Sequence, residues 1–122
     1  MARKKKQDSE KLAGLVAKGM QEKKATDIVL MDLREVKNAV ADFFVICSGS
    51  SDKQMGAISD SVDEFVLKGL KENPWHKEGH NNKDWVLLDY INVVVHIFHK
   101  DRREFFGLEK LWGDAKITEV GN

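Results

Sequence analysis

Apolar residues recur at helical spacing near the start of the chain. Leu12, Leu15, Val16 and Met20 occupy positions i, i+3, i+4 and i+8 within residues 9–24, and lysine and glutamate lie between them. This spacing puts the apolar side chains on one face and predicts an amphipathic first helix. Two glycines in the stretch weaken its intrinsic helix propensity, so the helix needs packing to persist.

A second helix is predicted directly after a Gly/Ser turn. Ser51 at the N-cap and Gln54 at the third helical position match a capping box. Gly69 and the only proline, Pro74, mark its end, and residues 70–84 are polar and predicted to be irregular. The apolar face of this helix comprises Met55, Ile58, Val62, Phe65 and Val66.

Two segments without helical spacing predict central strands. "DIVLMDL", residues 27–33, and "DFFVICSG", residues 42–49, are apolar on both faces. Strands of this kind usually lie in the middle of a sheet that is covered on both sides.

"WVLLDYINVVVHIF" predicts a β-hairpin. A two-residue turn at Ile91 and Asn92 would pair Tyr90 with Val93 and fix every later pair. One face would then be the core face, with Val86, Leu88, Tyr90, Val93, Val95 and Ile97. The other face would carry Trp85, Leu87, Asp89, Val94, His96 and Phe98. An acid and a histidine among apolar groups suit neither a dry core nor plain solvent, so this face is predicted to be a contact surface.

A last helix is predicted from Asp101, where Glu104 gives a second capping-box-like start, to Gly113. Its apolar side comprises Phe105, Leu108, Leu111 and Trp112. We expect a basic, flexible N-terminal tip, a single domain and a short extended tail, at residues 1–8, 9–115 and 116–122.

Composition narrows the class of protein. A chain of 122 residues suits one domain with a core, and its 20 basic and 20 acidic residues give no general attraction to nucleic acid or anionic membranes. The single cysteine, Cys47, lies in an apolar run and suits a reducing compartment. No apolar stretch approaches the roughly 20 residues that span a bilayer, and no signal-peptide pattern is present. We expect a cytoplasmic protein without a membrane partner.

Catalytic sets are poorly supported. The turn at Gly49 and Ser50 could precede a nucleotide-transfer site, but such a site needs two or three converging carboxylates. Only Asp84 and Asp89 are available on the later strand, and a spacing of five puts them on opposite faces. A set of Ser50, His96 and Asp89 is also disfavoured, because His96 and Asp89 are not directly opposed in the predicted register. We expect no catalytic residue.

The histidines do not form a convincing metal site. His76 and His80 have helical spacing but surround Gly79 after a proline, and His96 and His99 would point to opposite faces of a strand. We expect neither a metal nor a cofactor.

Recognition of nucleic acid is also disfavoured. Trp85 and Phe98 share their face with an acid and with no lysine or arginine, and acids flank the arginines of "KDRRE". Protein recognition fits this face better than sequence-specific binding of nucleic acid.

Four motifs connect the chain to a known family. "ADFFVICSGSSDKQ", the pair Glu78-Gly79, "DWVLLDYINVVVHIF" and "RREFFGLEKLWGDA" occur in order and at the expected spacing. Together they resemble the ribosomal silencing factors, also called iojap-like proteins, from about Asp27 to Ala115. Two positions depart from the family pattern: Ile91-Asn92 replaces Gly-Asp in the turn, and Phe106 replaces a tyrosine.

The resemblance implies an α/β fold with a mixed sheet of about five strands and flanking helices, similar to nucleotidyltransferases but without their catalytic acids. It implies a non-enzymatic protein that binds the large ribosomal subunit through protein fourteen of that subunit (uL14 type). The bound factor would block joining of the small subunit and repress translation when nutrients are scarce. The resemblance also implies a possible homodimer, as family members often form one. A nucleotidyltransferase-like enzyme, a ribosome assembly factor and a self-associating scaffold are the alternatives.

The predicted partner-binding site follows from the mixed face of the hairpin and the last helix. Trp85 is the expected buried anchor, and Asp89 is the expected charged partner for a basic group. The last helix would flank or brace this patch, although Trp112 could instead pack in the core. The full predicted set is Trp85, Leu87, Asp89, Val94, His96, Phe98, Glu109, Lys110 and Trp112.

Overall fold

The computed structural model describes residues 8–79 and 84–121. The basic run at residues 3–6, His80 and the "NNK" of the predicted loop lie outside these residues. The elements, in chain order, are α1 (Ser9–Glu22), β1 (Thr26–Asp32), β2 (Phe43–Gly49), α2 (Asp52–Leu70), β3 (His76–Glu78), β4 (Trp85–Asp89), β5 (Val93–His99), α3 (Arg103–Phe106), α4 (Leu108–Leu111) and β6 (Lys116–Val120).

The strands form one mixed sheet in the order β3-β4-β5-β2-β1-β6. The two central strands, β2 and β5, run parallel, and the other neighbours are antiparallel. Every residue of β2 is buried, as its two apolar faces predicted. The sheet has six strands rather than about five. β3 forms within the predicted irregular stretch, and β6 forms from residues that were predicted to be an extended tail.

The two long helices cover one face of the sheet. Their close approach depends on Gly19, because a Cβ there would lie 2.8 Å from the Cα of Val62. The Ser61 hydroxyl donates a hydrogen bond of 2.8 Å to the Gly19 carbonyl across the same contact. The glycine that weakens the propensity of α1 therefore allows it to pack against α2. In the part of the chain that the structure describes, no helix has the length and apolar character needed to cross a membrane.

The Gly/Ser turn joins β2 to α2 and also contacts the end of α1. Ser51 is the N-cap, and its Oγ accepts a hydrogen bond of 3.0 Å from the Gln54 N–H. The Gln54 side chain departs from the capping-box pattern, because its Oε1 accepts from the Ser50 N–H at 2.7 Å. Its Nε2 donates to the carbonyls of Lys23 and Lys24, just beyond α1. These bonds join the turn to the start of α2 and to the residues that follow α1, so the turn has a structural role.

The hairpin has the predicted register. The Tyr90 N–H donates to the Val93 carbonyl at 2.9 Å, and Trp85 lies opposite Phe98 at the far end. Ile91 adopts a positive φ of 79°, which a β-branched residue rarely does. All six residues predicted for the core face are buried, at 2% exposure or less.

The predicted last helix is wrong as a single element. Gly107 adopts a left-handed conformation, with φ 58°, and divides the segment into α3 and α4 of four residues each. Asp101 is not the cap, since α3 begins after Arg102 without a side-chain cap. Leu108 is buried as predicted, but Phe105 and Leu111 are 72% and 71% exposed. We call residues 103–112 the α3–α4 segment.

Candidate functional site

The mixed face of the hairpin is only partly a surface. Val94, His96 and Phe98 are buried at 8%, 3% and 0% exposure, whereas Trp85 and Leu87 are half-buried. The expectation that all six residues of this face are available for contact is therefore wrong for the three on β5. β5 is a central strand covered by its neighbours, and β4 lies closer to the sheet edge. This face is a second, smaller core with an open side at β4.

Aromatic rings cluster around Trp85. Its indole centroid lies 4.7 Å from that of Phe106, 5.0 Å from Phe98 and 5.8 Å from His96. The Phe106 ring also stacks on Phe98, with centroids 5.3 Å apart. Phe106 lies against the indole, and the α3–α4 segment closes one side of the cluster. We call Trp85, Leu87, Phe105 and Phe106 the aromatic surface.

A buried hydrogen bond fixes the Trp85 indole. Its Nε1–H donates to His96 Nδ1 at 3.0 Å, so the His96 proton must lie on Nε2. Burial lowers the pKa of His96 from 6.5 to about 3, because the imidazolium would lose its hydration. Nε2 has no hydrogen-bond partner among the described residues, and the ring packs edge to face on Phe44 at 4.6 Å. His96 is a neutral residue that orients Trp85.

Asp89 is half-buried at the turn end of β4. Its Oδ1 accepts a hydrogen bond of 2.8 Å from the Ile91 N–H. The carboxylate therefore stabilises the strained turn in addition to any contact with a partner.

The three predicted residues of the α3–α4 segment have different environments. Glu109 accepts a bond of 2.8 Å from Arg103, and Lys110 is exposed. Trp112 is half-buried and packs edge to face against Phe44, with centroids 6.1 Å apart. Trp112 attaches the segment to the body of the protein, whereas Glu109 joins α4 to Arg103 of α3.

A groove borders the aromatic surface. Its volume is about 430 Å³, and it is lined by Glu78, Gly79, Asp84, Trp85, Leu87 and Phe106. Gly79 has a positive φ of 87°, and a Cβ on it would lie 1.9 Å from the Trp85 carbonyl oxygen. Only glycine allows the chain after β3 to approach β4 so closely. The Glu78-Gly79 motif thus shapes the groove.

Phe105 is exposed, although the sequence pattern placed it on the apolar side of the last helix. Its ring lies 5.4 Å from Phe106, and the Arg102 guanidinium lies over it at 4.5 Å. Helical periodicity had assigned Phe105 to a buried face, but the break at Gly107 turns it towards solvent. The glycine was the only available signal for this break.

The alternative catalytic sets do not converge. In the parallel register of β2 and β5, Gly49 lies opposite His99, whereas Asp89 pairs with Val94. Ser50 and Asp89 are therefore separated by about 20 Å along the strands. Among the described residues no group of three or more His, Cys, Asp or Glu side chains could hold a metal ion.

The chain matches one protein family over nearly its whole length. The family model described as "Ribosomal silencing factor during starvation" matches residues 6–122. "Ribosomal silencing factor RsfS" of Bacillus subtilis is 42% identical over 110 residues, which cover 87% of this chain and 88% of that protein. The protein of the same name from Halalkalibacterium halodurans is 38% identical over 113 residues, covering 92% of this chain and 94% of the relative.

A solved structure shares the fold. The crystal structure of a protein from Bacillus halodurans has a TM-score of 0.77 and 34% sequence identity, and the match covers 91% of this chain and 99% of that chain. The resemblance inferred from the four motifs is confirmed, and this chain belongs to the ribosomal silencing factor family.

Proposed function

We propose that this protein binds the large ribosomal subunit, through protein fourteen of that subunit, and prevents the small subunit from joining. The result is repression of translation under nutrient limitation. Membership of the silencing factor family supports this role. The observation that carries the docking site is the half-buried, hydrogen-bonded indole of Trp85 beside an open groove.

The aromatic surface suits a protein partner. Interfaces obtain most of their affinity from a few well-packed residues, with tryptophan over-represented among them. The Trp85 ring is held by His96 and Phe106, so little rotational freedom is lost when a partner covers it. Phe105 and Leu87 extend the apolar area on either side.

Carboxylates lie on the β4 side of the aromatic surface, whereas the Arg102 guanidinium lies over Phe105 on the α3 side. Glu78 and Asp84 line the groove, and Asp89 lies at the other end of β4. The carboxylates favour a partner that presents lysine or arginine to the β4 side, because opposite charges speed association and select the correct orientation. Asp89 is the residue that we expect to meet such a group.

The proposed mechanism needs no chemical step. A domain bound to the face where the small subunit docks blocks joining by occupying space. Ser50 and Asp89 lie at opposite ends of the strands, and this separation supports a binding protein over a nucleotidyltransferase-like enzyme.

A subunit-joining assay tests this function. Isolated large subunits are mixed with the protein, small subunits are added, and the products are separated on a sucrose gradient. We expect the protein to co-sediment with large subunits and to reduce the joined-ribosome peak in proportion to its concentration.

Two results would contradict the proposal in different ways. Absence of co-sedimentation removes ribosome binding, whereas co-sedimentation with an unchanged joined-ribosome peak favours an assembly factor. Calorimetry with ATP and magnesium tests the enzyme alternative. Analytical ultracentrifugation tests the homodimer, which is a separate prediction.

A further inference from the structure

Arg103 connects three parts of the fold that are distant in sequence. Its Nη1 donates to the Asp27 carbonyl at the start of β1 and, at 3.0 Å, to Ser48 Oγ near the end of β2. Its Nη2 donates to Glu109 Oε2 at 2.8 Å, in α4. The Arg103 side chain is only 12% exposed, so it is poorly placed to contact a partner.

The α3–α4 segment has little else to hold it in place on that side. Its helices have four residues each, far fewer than an isolated helix needs to be stable. Within the two helices only Leu108 is buried. Cavities of about 420 and 370 Å³ adjoin Arg103, and Asp27 and Glu109 also line both of them. Apolar packing is therefore sparse on the Arg103 side, and on that side the segment is connected by the polar bonds of Arg103.

An irregularity in β1 presents a backbone carbonyl to the Arg103 guanidinium. The pairing of β1 with β2 shifts register between Thr26 and Val29, and Asp27 inside this irregularity has a positive φ of 50°. A bulge of this kind leaves a backbone group outside the ladder and redirects it. The Asp27 carbonyl accepts from Arg103 instead.

The anchored segment carries part of the aromatic surface. Phe106 contacts the Trp85 indole, Phe105 extends from it, and Trp112 packs on Phe44. We infer that Arg103 is a positioning residue: its bonds to β1, β2 and Glu109 hold the α3–α4 segment in the conformation that binds the ribosomal partner. The identity of the partner rests on the proposed function. The anchoring of the segment can be tested on the free protein without the partner.

The inference is tested by measuring hydrogen exchange and binding to large ribosomal subunits in the variant Arg103→Gln. Amides that donate to carbonyls within the segment, those of Gly107, Lys110, Leu111 and Trp112, report on its order. We expect their exchange to accelerate at least about tenfold, with exchange in α2 and β5 unchanged, and affinity for large subunits to fall by about tenfold.

Two further variants separate positioning from general stability. Glu109→Gln should reproduce part of both effects, and the double variant should lose less than the sum of the single losses, because the residues act as a pair. Arg34→Gln is the matched control. Arg34 also bonds a carboxylate, that of Asp32, but it lies at the other end of β1 and should alter neither readout.

Each contrary outcome is distinct. Unchanged exchange in the segment overturns the anchoring role, and faster exchange with unchanged affinity overturns the positioning role. Faster exchange throughout the domain, with a lower urea midpoint than Arg34→Gln, makes Arg103 a general stability residue and also overturns the inference. If the unmodified protein does not bind large subunits, the proposed function fails and takes the positioning role with it, while exchange still decides the anchoring.

Discussion

The two faces of the sheet share the same strands but are covered in different ways. One face is closed by α1 and α2, and every hairpin residue that points there is buried. The other face is covered by the loop after β1 and by the short α3–α4 segment, which leave Trp85 and Leu87 half-buried. Long helices complete a core, whereas short segments leave apolar area that a partner can cover. The same strands thus provide a stable core on one face and the proposed binding surface on the other.

Neighbouring leucines on β4 give the largest expected contrast. Leu88 is fully buried under the helices, and Leu87 is half-buried on the other face. Leu88→Ala should lower the free energy of unfolding by about 3 kcal/mol, because it removes buried methyl groups and leaves a cavity. Leu87→Ala should lower it by about 1 kcal/mol or less. Urea denaturation measures both, and equal losses would contradict the division into a core face and a binding face.

His96, which is buried on the face covered by the α3–α4 segment, should make the free energy of unfolding depend on pH. Its pKa is about 3 in the folded protein and near 6.5 when unfolded, so the unfolded state binds more protons between these values. Stability contributed by neutral His96 is fully present above pH 6.5 and is lost as pH falls towards 3. Between pH 6.5 and 5 the expected loss is roughly 1–2 kcal/mol.

A matched variant isolates this contribution. Other groups titrate at low pH, so urea midpoints are compared between the unmodified protein and His96→Gln over the same range. The variant should be less stable at pH 7 but should lose less between pH 6.5 and 5. Parallel pH profiles would contradict a buried, neutral histidine.

The smallest expected change in stability concerns the turn between β4 and β5. Ile91 has a positive φ, which glycine adopts without steric strain. Ile91→Gly should raise the free energy of unfolding by up to about 1 kcal/mol, the relief of strain being partly offset by the greater freedom of glycine in the unfolded chain. Thermal denaturation measures the change, and a clear loss of stability would show that the side chain contributes packing instead.

The helix-covered face could be predicted from the sequence because its signals are local. The stripe from Leu12 to Met20, the cap at Ser51 and the alternation along the hairpin each report on adjacent residues. These signals correctly predicted α1, α2 and the register of the hairpin. The same alternation separated the two faces correctly but could not tell how each would be covered.

The second face could not be predicted because it depends on distant contacts. Phe106 of the α3–α4 segment stacks on Phe98, and Arg103 of the same segment bonds to Asp27 and Ser48. Residues this far apart in sequence leave no periodic pattern. Strand β3 was missed for a related reason, since its three residues are exposed and pair only with β4.

Binding of Trp85→Ala to isolated large subunits tests the central claim most directly. Loss of the indole should weaken binding by about 2 kcal/mol, roughly 30-fold, with the fold intact by circular dichroism. Leu67→Ala is the control, since Leu67 is exposed on α2, which covers the opposite face, and this variant should bind as the unmodified protein does. Selective loss in Trp85→Ala is the predicted result. Equal affinity of the two folded variants would contradict the assignment of the aromatic surface as the ribosome-binding site.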